Sequence, residues 1–404
     1  MRFKHVPAAV SAVFDDPNLV SAAGLVPMSR LAQHARLAQL AHDRLSVPND
    51  KGANAGLKVS ALVAGMLAGA DSIDDMNVLR HGGMGRLFEG TYAPSTLGSF
   101  LRAFTFGHVR QLDAVASRVL VSLGADTPVL QARPGERVMV DIDDTIVEVH
   151  GYHKQGASFG YSGVRGLNPL LATASTTSSA PVMVAQRLRQ GAAGSPRGAA
   201  RIVADALATV RRMSPGDRSR PLLRADCVFY GHATIATAIR AGADVSVTVR
   251  MDPAVKATIA SIPDHAWEMI DYPQAIRDEA TGQWISNAEV AGIGFTAFRS
   301  RNKADHVTGR LVVRRIPNLS PKHLDMSTLF DTWRHHTFLT TTDPNTQDTL
   351  AADKTPRAHA FQLSRSTRTS KQAPSRTCPP GCSPRTAPGS SSPSSHSTSP
   401  APPP

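Results

Sequence analysis

The stretch Arg137–Gly151, RVMVDIDDTIVEVHG, places Asp141, Asp143 and Asp144 at the end of an apolar run. Side chains alternate along a strand, so Asp141 and Asp143 share a face, roughly 7 Å apart, while Asp144 takes the other. Carboxylates that close repel, and they need a cation or strong hydrogen bonds to coexist. A further acid, Asp226, closes a separate apolar run, LLRADCVFYG. Two strand-end carboxylates of this kind make a candidate site for a hard divalent cation.

The elements that must carry these acids fall into two textures. Residues 29–125 read as helical. Leu31, Ala35, Ala38, Ala41 and Leu45 share a helical face, and LKVSALVAGMLAGA is apolar nearly all round, as a buried helix is. Ser72 with Asp75, followed by Gly82 and Gly83, supplies a start and a stop. A further helix begins at Pro94, with Ser95 as the expected cap, and presents Arg102, His108 and Arg110 beside an apolar face. A helix pair here is a candidate DNA reader, although the linker before Pro94 exceeds that of a helix-turn-helix. All-helical packing explains the same pattern equally well.

From Arg137 short apolar strands take over: RVMVDIDDTIVEV, GVRGLNPLLATAS and APVMVAQRLRQG, then the helix PRGAARIVADALATVRRM. PLLRADCVFY, the helix HATIATAIRAG and DVSVTVRMD continue the series, which predicts an α/β core with a mixed sheet. Residues 255–310, with Trp267 and Trp284, break the rhythm and read as a β-rich insertion; the core resumes with GRLVVRRIP and RHHTFLTTTD. From Ser364 to Pro404 there is no Val, Ile, Leu, Met or aromatic residue. Such a Ser/Pro-rich tail cannot offset its ordering entropy and is expected to be disordered. The organisation is thus 1–130 helical, 131–361 α/β core, and 362–404 tail.

Composition narrows the partners. A net charge of +12 and pI near 10.1 favour a polyanion, double-stranded DNA before a membrane. No segment approaches the ~20 apolar residues of a membrane span and no signal peptide stands at the N-terminus, so a cytoplasmic location is expected. Cys227 reads as a small core residue, and Cys378 and Cys382 have no partners at zinc spacing.

Two chemistries use such aspartates. Asp141, Asp143 and Thr145 fit the opening motif of a haloacid-dehalogenase-type phosphatase, with Asp141 as nucleophile and Asp143 as general acid. That class also needs a Gly-Asp-x-x-x-Asp after a later strand, whereas the Gly-Asp here, in SPGDRSR, lies in a basic loop. The alternative is a DDE transposase with a ribonuclease H-like core. Two Asp and a Glu there hold two divalent ions about 3.5–4 Å apart.

Three long stretches carry a specific resemblance: DIDDTIVEVHGYHKQGASFGYSGVRGLNPLLATASTTSSAPV, LLRADCVFYGHATIATAIRAGADVSVTVRMDP and FTAFRSRNKADHVTGRLVVRRIP. They resemble the insertion sequence 1380 family of DDE transposases, from the N-terminus to about Ala360. The resemblance implies that Asp143 and Asp226 are the first two catalytic, metal-binding aspartates, with Asp141 supporting them as a further metal ligand and Mg2+ or Mn2+ as cofactor. It implies cleavage at the ends of a mobile element and strand transfer into target DNA, with a homodimer synapsing two ends. Arg165, Arg187, Arg189 and Arg250 flank the site as candidate phosphate contacts, beside Arg102 and Arg110 of the helical part. Plain surface charge accounts for each as well. Trp267 or Trp284 is a candidate to stack on an extruded base, with core packing the commoner role for a tryptophan.

The pattern breaks at its end. The family's catalytic helix reads Ile-Ile-Glu-Gln-Val, but this chain reads FQLSRSTRTSK; Leu363 stands at the Glu position and Ser370 at a downstream Lys. No Asp or Glu follows Asp353. DNA encoding SRSTRTSKQAPSRTCPPGC can, one base out of register, encode EQVHADLKASALAHLPSGV, which resembles the family's own ending. A frameshift between Ala360 and Ser364 is therefore expected, and with it a chain short of its third carboxylate. A non-catalytic DNA-binding regulator of an intact transposase is the alternative that follows.

Overall fold

The computed structural model describes residues 19–354, apart from 89, 131, 134, 152–153, 218, 271–275, 278–283 and 318–332. The expected tail at 362–404, Leu363 and Ser370 lie outside the described residues.

The first part of the chain is helical: α1 (Leu25–His34), α2 (Leu37–Arg44), α3 (Asn49–Gly52), α4 (Ala55–Leu67), α5 (Pro94–Arg102) and α6 (Phe106–Asp126). The face predicted to run unbroken from Leu31 to Leu45 is cut at Arg36, whose φ of 58° is left-handed and ends the turn. Ser72 and Asp75 do exchange cap hydrogen bonds, but the element they open is a 3-10 turn, Asp74–Leu79. Pro94 occupies the first turn of α5 with Ala93, not Ser95, as its cap. Thr105 and His108 form the capping box of α6. Leu37, Ala41, Leu62, Met76, Leu97, Phe100 and Val115 meet in one buried cluster. The expectation that α4 is buried all round is corrected: Leu57, Met66 and Leu67 are exposed, Met66 at 65%.

The rest is built on one sheet. Its strands are β1 (Met139–Asp144), β2 (Val147–Glu148), β3 (Ser158–Phe159), β4 (Arg165–Ser175) and β5 (Val182–Gln190). After α7 (Ala199–Met213) come β6 (Leu222–Ala225), α8 (His232–Arg240), β7 (Asp244–Thr248) and α9 (Pro253–Ala260). β8 (Glu268–Ile270), β9 (Ile276–Arg277), β10 (Trp284–Ser286), β11 (Ala288–Ala297), β12 (Val307–Pro317) and β13 (Trp333–Thr340) follow. The eleven-stranded sheet runs β2-β4-β1-β6-β7-β13-β12-β11-β8, with β3 and β5 also on β4. β1 is antiparallel to β4 and parallel to β6, and β6 is parallel to β7. The predicted mixed sheet is present.

Alternation decides what each strand buries. Val138, Val140 and Ile142 of the first strand region, with Leu223 and Ala225 of β6, face α7 through Ile202, Ala206, Leu207 and Val210. Each large aliphatic there contributes about 1.5–3 kcal/mol by leaving water. The odd-numbered residues, Asp141 and Asp143, are thereby turned to the opposite face.

The expected β-rich insertion at 255–310 lies between β7 and β13, which pair with each other directly. It opens with a helix, α9, and only β9 and β10 form a separate two-stranded ribbon. β8, β11 and β12 instead extend the main sheet, because β13 pairs with β7 on one side and with β12 on the other. Thr337, Phe338 and Leu339 are buried in that bridging strand, so no gap separates the segment from the core.

Candidate active site

β1 and β6 are in parallel register, with Val140 beside Leu223 and Asp141 beside Arg224. The ladder ends at that pair and β6 at Ala225; the same register continued by two residues would set Asp143 level with Asp226, on strands about 4.8 Å apart. Asp143 is half-buried and accepts a hydrogen bond from the Asp144 amide at 2.8 Å on Oδ1. Asp226 is exposed and caps the 3-10 turn Cys227–Phe229, its Oδ1 accepting from the Val228 amide at 3.1 Å. The tight turn at Asp226 explains why the strand stops there.

Asp141 is placed differently from the expectation that it binds metal. It is wholly buried, and Arg224 donates to both its oxygens, Nε to Oδ1 and Nη2 to Oδ2, at 2.6 Å each. Such a bidentate pair satisfies the carboxylate and removes it from the ligand set. The same geometry removes it as a phosphatase nucleophile, since no substrate reaches a carboxylate with no exposed surface. Arg224 itself was missed by sequence reasoning. The signal was there: a charged residue inside the apolar run PLLRADC needs a partner, and Arg224 precedes Asp226 by the same step as Asp141 precedes Asp143.

Asp144, on the other face, is held by Arg189 at 2.8 Å and by Asn168 Nδ2 at 3.1 Å. This corrects Arg189 as a DNA contact. Its side chain is only 6% exposed, and its donors serve Asp144, Asn168 and the carbonyls of Gly194, Ser195 and Arg197. Burial and desolvation pull its pKa down, and the neighbouring Asp144 charge opposes that pull. Arg187 is paired with Asp205 at 3.3 Å, and Arg165 bonds the carbonyls of Val149 and Gly151. Arg110 pairs with Asp113 and lies 3.7 Å from Asp205, so it ties α6 to α7. Burial outweighs the Arg110 charge at Asp113 and raises that carboxyl to about 6. Arg102 and Arg250 are exposed, as a backbone contact must be.

Four residues past Asp226, Tyr230 stacks on Phe298 at 5.2 Å between ring centroids, and burial pushes its hydroxyl up to about 12. Phe298 adopts a left-handed φ of 62°, and its ring also meets the edge of His232. Trp267 packs against the main core cluster, and the side chain of Trp284 lies outside the described residues. Cys227, expected in the core, is half-buried.

A small hard cation commonly takes one or two carboxylates and completes its shell with water or phosphate. Among the described residues no group of three or more His, Cys, Asp or Glu is arranged for a metal. Among the same residues no helix is long and apolar enough to cross a membrane.

No curated protein matches the chain. One solved structure, a cryo-EM structure of the piggyBac transposase synaptic complex with hairpin DNA, is similar at 11% identity. The match covers 89% of this chain and 68% of that one with a TM-score of 0.35, too weak a likeness to carry an argument. A family model described as Transposase DDE domain group 1 matches residues 5–324, which take in Asp143, Asp226 and the whole sheet up to β12. By that match the chain belongs to the group 1 family of DDE-domain transposases.

Proposed function

We propose that this chain is the transposase of a bacterial insertion sequence of the 1380 family, acting on double-stranded DNA at element ends and target. The reading is carried by the β1–β6 parallel register, which sets the buried Asp141 beside Arg224 and, continued by two residues, would set Asp143 level with Asp226. In this reading the arrangement β5-β4-β1-β6-β7, with α7 and α8 on one face, is a ribonuclease H-like core. α1–α6 form the DNA-binding part within 1–130, and the active species in the cytoplasm is a homodimer holding two ends.

Asp143 and Asp226 would hold Mg2+ or Mn2+. Bound there, the ion would lower the pKa of an attacking water or 3′-hydroxyl and stabilise the leaving oxygen. The chain's own contribution is positional. Arg224 fixes Asp141, the Val228 amide fixes one Asp226 oxygen, and the core under β1 fixes the face on which both acids stand.

With Leu363 at the position of the third acid, two carboxylates are too few for two ions. We therefore read the chain as a frameshifted transposase with little strand transfer as written. The same observation favours a second reading, a regulator that occupies element ends without cutting them. Purified 404-residue protein, incubated with element-end duplexes and Mg2+, tests both. Binding with no cleavage fits the account, and robust cleavage contradicts it. A gel shift with no preference for ends over random DNA sinks the regulator.

A further inference from the structure

Three arginines converge where the helical part meets the sheet-bearing part. α6 packs against both α2 and α7, and Arg44 of α2, Arg118 of α6 and Arg212 of α7 are electrostatic neighbours at that seam. Arg212 reaches across it: its Nη2 donates to Ser117 Oγ of α6 at 2.8 Å and to Thr209 Oγ1 at 3.1 Å. Its Nε donates to the Ala208 carbonyl at 3.2 Å, which leaves Nη1 without a partner among the described residues. Arg118, next to Ser117, uses Nη1 on the Ala114 carbonyl at 3.0 Å. Arg44 lies in the last turn of α2, and two hydrogen bonds between Ser46 and Gln111, of 3.0 and 2.8 Å, fasten that end to α6.

Nothing on the chain neutralises the cluster. Asp205, one turn before Thr209 on α7, is already shared by Arg110, Arg187 and Arg201. Desolvation first, then the charges of Arg44 and Arg212, pull the Arg118 pKa down, and no carboxylate charge opposes them. Arg44 and Arg212 stand in the last turns of their helices, where the dipole favours a cation. Arg118, inside α6, has no such compensation.

Converging guanidinium donors with no acid between them match an anion that offers several acceptor oxygens, as a phosphate does. The net charge of +12 and the transposase family favour the phosphodiester backbone of duplex DNA as its source. α7 covers the sheet face opposite Asp143, so a phosphate held here lies away from the reacting one.

We propose that Arg44, Arg118 and Arg212 form a backbone-phosphate site for duplex DNA across the α2–α6–α7 seam, so that one duplex is gripped by the helical part and by α7 together. The proposal rests on the reading of the chain as a DNA-binding transposase.

The test uses the full chain, a blunt random-sequence duplex and phenylglyoxal, which modifies accessible arginines, with the modified residues read by mass spectrometry. Saturating duplex should slow modification of Arg118 and Arg212 severalfold. In titrations, Arg118→Gln should make the slope of log K against log salt shallower by about 0.9, as loss of one phosphate contact does, and Arg118→Lys should keep most of the slope. The modification arm uses the unaltered chain, so the test stands even if Arg118→Gln fails to fold. Protection by an excess of inorganic phosphate but not by the duplex overturns the DNA assignment in favour of a free anion. Bound duplex with both arginines modified at their unbound rate overturns the site and leaves the DNA reading standing. No binding of the duplex overturns both.

Discussion

Replacing Arg224 by Met should destabilise the protein severely, and replacing Asp141 by Leu in the same chain should restore most of the loss. The two side chains are 1% and 0% exposed and joined by two hydrogen bonds of 2.6 Å. Removing one partner strands a charge that has no water to return to, at a cost of about 3–5 kcal/mol. Met nearly fills the volume of the arginine stem, so a cavity contributes little to that figure. Removing both charges deletes the desolvation cost together with the attraction, and such apolar replacements are often neutral or stabilising by roughly 1–4 kcal/mol. Urea unfolding followed by far-UV circular dichroism on Arg224→Met, Asp141→Leu and the double variant forms a complete cycle. Two large single losses and a double variant close to the parent are expected. Single losses under ~1 kcal/mol, or a double loss equal to their sum, would refute the claim that the pair is a closed, desolvated unit.

Arg189→Ala should cost a similar ~3–5 kcal/mol, because it strands Asp144 and several carbonyls, while leaving the salt dependence of DNA binding unchanged. Arg250→Ala and Arg102→Ala should leave stability within about 0.5 kcal/mol. Each should make the slope of log K against log salt shallower by about 0.9 if its side chain meets a phosphate; titrations at several salt concentrations read both effects. Asp113 sets a pH dependence of unusual sign. Its carboxyl is raised from 3.8 to about 6, so the folded chain holds that proton more tightly than the unfolded one. Stability from this group should grow as pH falls from about 6 towards 4, by at most about 3 kcal/mol, and be absent at pH 7. Asp113→Asn should flatten that interval in a pH series of urea midpoints.

The lettering of the chain made the acids and the strand that carries them legible, since period-two alternation through VMVDIDD fixes which aspartates share a face. α7, α8 and the parallel strands on either side of α8 were equally plain, because helical and strand periods alternate there without interruption. What stayed hidden depends on distant partners. Asp141 looks like a metal ligand until Arg224, 83 residues away, is set beside it by the β1–β6 register. Arg189 looks like a phosphate contact until Asp144 and the Gly194–Arg197 carbonyls close around it. That the segment 255–310 extends the main sheet stayed hidden because its link to the core is β13, which arrives later in the chain and pairs on both sides. The break at Arg36 is a backbone choice that an arginine does not announce.

Manganese binding tests the central claim most directly, because it asks whether Asp143 and Asp226 act as one site. Electron paramagnetic resonance titration of the full chain should show a single weak Mn2+ site, weakened at least tenfold in Asp143→Asn and equally in Asp226→Asn. Binding undiminished in either variant would mean that the two strand-end acids do not hold the ion together, and the account of the site would fall.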